Sequence, residues 1–214
     1  MLAAYPHLGC SPHGAPDATP SEWGVLPHVL CLASAASLAR SAAFVERVLG
    51  AALEAFPGSH IHLGGDEVAA DELGRLQAPE ARVVELFERL FGFLARRGRV
   101  PVVWDDVQAA FARQRRPLPA GVVVHAWQSG HAVARTLAAG VHTLASPQEA
   151  TYLNHRANGL RTCFAWDPAA CGCGALPAAA AGSAAGLLLG GSAAGSKGTC
   201  VTRTSSCDSN SRPS

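Results

Sequence analysis

The chain has 214 residues, 49% of them hydrophobic and 15% charged, with a formal net charge of +1. That length and apolar content suit one globular domain with a real core. A near-neutral balance without a basic stripe argues against a nucleic-acid partner, and no run of about 18 apolar residues suggests a membrane span.

The predicted elements alternate between helix and strand along the chain. Residues 35–55 read as a helix, with apolar positions at Leu38, Ala42, Val45, Val48, Leu49 and Leu53. Phe56-Pro57-Gly58 stops it, because proline and glycine extend a helix poorly. A strand is expected over Ser59–Gly64. A second helix, about Glu80–Arg97, places Val83, Val84, Leu86, Phe87, Leu90, Phe91 and Leu94 on one broad face. The basic knot ARRGR at its end fits a helix C-terminus, where cations are favoured. Strands follow at Val100–Trp104, Val122–Trp127 and Val141–Ala145, with a short helix near His131–Ala139. Short continuous apolar strands such as VPVVW suit a parallel sheet buried on both faces. From about Asp167 onward Ala, Gly and Ser dominate, and residues 195–214 offer almost nothing to bury, so a disordered tail is expected there.

The segment His60–Val68, HIHLGGDEV, carries the chemistry. A strand reaches two glycines and then delivers adjacent carboxylates, Asp66 and Glu67. Gly64 and Gly65 let the backbone bend and a ligand approach. Adjacent carboxylates without a nearby cation do not both ionise easily, so one is expected to keep its proton near neutral pH, as a general acid requires. Capping of a following helix is the plainer use of two such acids.

The segment resembles the signature of family-20 glycoside hydrolases, the β-N-acetylhexosaminidases, where a strand ends His-x-Gly-Gly-Asp-Glu. Here the pattern reads His62, Leu63, Gly64, Gly65, Asp66, Glu67. Later segments are similar to that family's landmarks in order: PVVWDDV with Trp104, VVVHAWQSG with Trp127, ASPQEATYLNH with Tyr152, and LLLGGSAA as the opening of the last strand. AAYPHLGC and VLCLA resemble the loops before the signature. The likeness covers about residues 1–194 and implies an incomplete TIM (β/α)8 barrel, about strands 4 to 8, followed by the tail 195–214. A complete barrel takes roughly 250 residues, and five strands leave open edges.

The resemblance implies an exo-β-N-acetylhexosaminidase that removes terminal non-reducing N-acetylhexosamine from glycans, with retention and with the substrate's acetamido group as nucleophile. It makes Glu67 the acid and then the base, its proton kept in a buried setting by Asp66 and apolar walls, Asp66 the group that orients the acetamido and stabilises an oxazolinium-like intermediate, and Tyr152 a donor to the acetamido oxygen. Trp104 and Trp127 would wall the sugar pocket, with His62 and Asp105 supporting the acids. Each tryptophan could instead be a core aromatic, although its place at a strand's C-terminal end tips it toward the pocket, and His62 is more often a satisfied core histidine than a participant. Asn154 stands where the family usually has an aspartate gripping a sugar hydroxyl, so weaker binding or altered sugar choice is expected. After Gly190-Gly191 the usual pocket tryptophan and glutamate are missing, as is the arginine of the first strand. The alternative is therefore an inactive fragment or splice product that binds sugar weakly.

No cofactor is expected, and a metal hydrolase built on His62, Asp66 and Glu67 lacks further ligands of suitable spacing. The glycan is the expected partner, and a homodimer is compatible with the sequence. MLAAYPHLGC shows no secretory signal, whereas the family is usually lysosomal, vacuolar or secreted. Seven cysteines leave the redox compartment open: Cys171-Gly-Cys173 lacks zinc-knuckle spacing, so inert thiols or irregular disulfides are expected.

Overall fold

The computed structural model describes residues 1–10, 29–68, 79–153, 160–167, 187–195 and 198–202. It divides into two compact units, Met1–Pro101 with Ala109–Pro119, and Val102–Gln108 with Ala120–Ser214.

The first unit begins with a 3-10 turn, Pro6–Leu8. Cys31 N–H donates to the Leu8 carbonyl at 2.7 Å, and Gly9 bridges Leu30. A disulfide joins Cys10 to Cys31. Helix α1, Ala35–Ala55, starts at a capping box in which Ser34 and Ser37 satisfy each other's backbone N–H groups. The same box usually draws its third-position partner from Glu or Gln, and a serine hydroxyl serves here. The helix ends where sequence placed its end, before Pro57-Gly58. Its buried side is more polar than expected. Ser37 and Ser41 are buried, the latter donating to the Cys31 carbonyl at 2.9 Å, whereas Val48 is 52% exposed. Phe44 packs with Leu2 and Leu8.

Strand β1, His60–His62, lies beside the start of β2, Val100–Trp104, where Val100 N–H donates to the Ser59 carbonyl at 2.8 Å. Helix α2, Glu80–Ala95, buries Val83, Val84, Leu86, Phe87, Leu90, Phe91, Phe93 and Leu94, the broad face its 3.6-residue pattern predicts. The rings of Phe87, Phe91 and Phe111 follow one another at 5.9 and 6.0 Å. Arg89 grips Glu46 of α1 through both carboxylate oxygens. The ARRGR knot does close the helix: the Arg97 guanidinium lies 3.6 Å from the Phe93 ring centroid and donates to the Phe93 carbonyl, and Arg99 donates to the Gly58 carbonyl.

In the second unit the end of β2, then β3 (Val123–Ala126), β4 (Thr143–Ala145), β5 (Leu188–Gly195) and β6 (Gly198–Thr202) run side by side in that order. Pairings from β2 to β5 are parallel, with Val103 opposite Val124, His125 opposite Leu144 and Ala145 opposite Gly191. Strand β6, within the segment 195–214, pairs antiparallel with β5. All four residues of β3 are buried, as the uninterrupted apolar run predicts for a strand covered on both faces. Helix α4, Gly130–Ala138, is capped by Ser129, and its Ala132, Val133 and Leu137 pack with Ala126, Ala145 and Leu188. Two short helices, α5 (Gln148–Thr151) and α6 (Leu160–Ala165), follow β4.

Helix α3, Asp105–Arg113, was not expected. It begins directly after β2 without a loop. Asp105 and Asp106 occupy its first turn, where the helix dipole favours anions, and Val107, Ala110 and Phe111 are buried at helical spacing.

Candidate active site

The described candidates lie at or after the C-terminal ends of successive strands, the position from which an α/β sheet presents chemistry. Asp66 and Glu67 come after β1, Trp104 and Asp105 at the end of β2, Trp127 just after β3, and Tyr152 after β4 and α5.

In the first unit the glycine pair does what its lack of Cβ allows. Gly64 and Gly65 have φ of 72° and 99°, and Glu67 itself has φ of 48°. Three of the four residues 64–67 are thus left-handed. A non-glycine residue in that region costs on the order of 1–3 kcal/mol, a strain concentrated at functional sites. The Gly64 N–H donates to Nδ1 of His62 at 3.0 Å, which closes the turn on the strand end. Crowding protein atoms hold the His62 imidazole below its ordinary pKa of 6.5, although the residue is exposed overall, and the Asp66 carboxylate pulls the other way. The burial expected around the acid pair is not found in this unit. Both Asp66 and Glu67 are exposed, Glu67 within the left-handed turn itself.

The second unit holds the aromatic candidates. Trp104 stacks on His125, with centroids 4.4 Å apart and planes at 30°. His125 is buried, and its Nε2 meets the Ser146 hydroxyl at 2.8 Å. Trp127 and Tyr152 lie nearly parallel, 6.2 Å apart at 26°. Both residues are half-buried. Asp105 is only 2% exposed. One of its oxygens accepts the Trp127 backbone N–H at 3.1 Å, and the other has no partner among the described residues. Burial pushes the Asp105 carboxyl pKa up, aided by the neighbouring Asp106 charge and opposed by the Trp127 N–H.

The structure thus unites Trp127, Tyr152 and Asp105 in one unit, with Trp104 on the same strand end as Asp105. Asn154 lies outside the described residues, as do Cys171 and Cys173. Sequence reasoning passed over Asp106, Gln128 and Gln148. Asp106 accepts the Trp127 indole N–H at 2.8 Å and the Gln128 amide at 3.0 Å. Gln148 donates its backbone N–H to the Trp127 carbonyl at 2.8 Å and its amide to the Gln128 carbonyl. The only local signal was the acid doublet after Trp104.

Among the described residues no group of three or more His, Cys, Asp or Glu is arranged to hold a metal ion, and no helix is long and apolar enough to cross a membrane.

The family model for the glycosyl hydrolase family 20 catalytic domain matches residues 1–169. No curated protein matches the chain. The GH20 β-N-acetylhexosaminidase from Streptomyces coelicolor A3(2) superposes with a TM-score of 0.65 at 26% identity, over 89% of this chain and 37% of that one. The Streptomyces plicatus N-acetyl-β-hexosaminidase in complex with Thio-NAglucal gives 0.64 at 24% identity, again over 89% and 37%. The Vibrio harveyi exo-β-N-acetylglucosaminidase in complex with N-acetylglucosamine gives 0.61 at 18% identity, over 91% and 32%. The last two likenesses are of fold. The chain spans 37% of the length of the two Streptomyces structures, and its alternating strands and helices are part of the α/β barrel such catalytic domains form.

Proposed function

Because the chain belongs to glycosyl hydrolase family 20, whose catalytic-domain model covers residues 1–169, we propose that it acts as an exo-β-N-acetylhexosaminidase on glycans ending in N-acetylglucosamine or N-acetylgalactosamine. In this reading the substrate's acetamido oxygen attacks the anomeric carbon as the glycosidic C–O bond breaks. Glu67 gives its proton to the departing oxygen. The cyclic oxazolinium-like intermediate carries positive charge, which the Asp66 carboxylate offsets. Water then opens the ring, and Glu67 takes the proton back, so configuration is retained. Tyr152 donates its hydroxyl to the acetamido oxygen. The indoles of Trp104 and Trp127 give flat apolar surface to the acetamido methyl and sugar face.

The observation that carries this reading is the Trp127–Tyr152 pair, two near-parallel rings of half-buried residues that follow the ends of successive strands, β3 and β4. The strained turn that delivers Asp66 and Glu67 after the glycine pair supports it. A second reading, a chain that binds sugar weakly without turnover, draws support from the exposure of both acids and from the 37% span.

A chromogenic N-acetylglucosaminide assay separates the two. Hydrolysis by the purified chain, lowered about 10²–10⁴-fold in Glu67→Gln, supports the enzyme. Unchanged turnover in that variant removes Glu67 from its role, and no hydrolysis by the unaltered chain favours the second reading. Asp66→Asn is expected to lower kcat more than it raises KM, since it offsets charge that develops during reaction.

A further inference from the structure

We infer that Asp106 is a positioning residue, a carboxylate that locks the Trp127 indole nearly parallel to the Tyr152 ring and thereby sets the face offered to a sugar. The inference rests on the proposed sugar-contacting role of those two rings, and it extends that role to a residue that does not itself touch substrate.

Trp127 is held at three atoms. Its indole N–H donates to Asp106 at 2.8 Å, its backbone N–H to Asp105 at 3.1 Å, and its carbonyl accepts the Gln148 N–H at 2.8 Å. The two backbone bonds fix where the residue starts. They leave the ring free to turn about its side-chain torsions, the last of which is broad for an indole. Among the described residues, the Asp106 bond is the hydrogen bond that holds the ring itself. That bond joins a donor to a carboxylate, the stronger and more directional kind.

Asp106 is in turn fixed. It sits in the first turn of α3, where the helix dipole favours its charge, and its second oxygen accepts the Gln128 amide at 3.0 Å. Trp127 and Trp166 are both half-buried, yet the Trp166 indole nitrogen is buried with no partner among the described residues, whereas the Trp127 indole meets a carboxylate. The carboxylate serves the tryptophan whose ring stacks on Tyr152. With the ring so held, Tyr152 stacks at 26°.

The test uses the full chain labelled with ¹⁵N, with the Trp127 indole resonance identified by its loss in Trp127→Phe. In Asp106→Leu the indole proton should exchange with solvent roughly tenfold faster, as a bond to a charged acceptor is lost. Asp106→Asn keeps an acceptor without the charge and should exchange roughly threefold faster. It also preserves shape should the leucine variant not fold. N-acetylglucosamine affinity, followed on the same spectra, should fall roughly tenfold in Asp106→Leu and not fall further when Trp127→Phe is already present.

Exchange unchanged in a folded Asp106 variant overturns the inference. So does a sugar-affinity loss that persists in the Trp127→Phe background. If the unaltered chain shows no response to the sugar, the proposed function fails, while the exchange measurement still decides Asp106 by itself.

Discussion

The two ends of the candidate chemistry are built by opposite means. The acid segment of the first unit is shaped by its own backbone: three left-handed residues in four, closed by one short bond from Gly64 N–H to His62. The aromatic segment of the second unit is shaped from a distance. Trp127 is oriented by Asp105 and Asp106, some twenty residues earlier, and by Gln148, as many later. A locally coded turn tolerates changes elsewhere but not within itself. A network-coded ring can be disturbed from several places, each with a partial effect.

The largest expected effect comes from breaking the local half. Gly65→Val puts a β-branched side chain at φ 99°, a region such residues scarcely enter. Turnover in the chromogenic assay should fall to background, while the Trp127 indole resonance keeps its position. A shifted indole resonance would mean the two segments are not independently specified.

Disturbing the distant half should cost less. Trp127→Ala should raise KM roughly tenfold or more through lost ring contact, with a smaller change in kcat. A kcat loss at constant KM would assign the ring to the transition state alone.

These two cases mark how much was legible. The glycine turn could be read from residues 64–67, because only a missing Cβ makes two successive positive φ values cheap. The bounds of α1 were equally plain, since a 3.6-residue pattern meets Pro57-Gly58. Helix α3 was hidden because Asp105 and Asp106 look like the end of a strand and start a helix with no punctuation between. Asp106 was hidden because its meaning lies in an indole 21 positions away, a pairing no local pattern encodes. Exposure of Asp66 and Glu67 was misjudged for the same reason: burial depends on neighbours from other segments, not on the turn that carries the acids.

A smaller effect sharpens the network side. Asp105 has its pKa raised by burial, so the folded state binds the proton more tightly than the unfolded chain. Its stabilising contribution is complete below the ordinary value of 3.8 and is lost as pH rises through the raised value. Asp105→Asn, which keeps an oxygen for the Trp127 N–H, should match the unaltered chain in Tm near pH 3.5. It should exceed that chain by a margin that opens as pH rises above 3.8. A constant difference across pH would show that the carboxyl does not titrate in that window.

The smallest effect belongs to the acid turn. The His62 midpoint, read from its ring protons by NMR, should lie below 6.5. Asp66→Asn should lower it further by removing a charge that favours the imidazolium. A rise on that substitution would reverse the assigned sign.

The bond between Cys10 and Cys31 ties this behaviour to redox surroundings. It joins positions 21 apart, and cross-links of that span favour the native state by about 3 kcal/mol, largely by restricting the unfolded chain. Under a reductant the N-terminal segment stays attached through the ladder bond from Cys31 to Leu8, the Ser41 hydroxyl and the packing of Leu2 and Leu8 on Phe44. The same polypeptide is therefore sturdier in an oxidising milieu than in a thiol-rich one, and preparations made under the two conditions should melt at different temperatures.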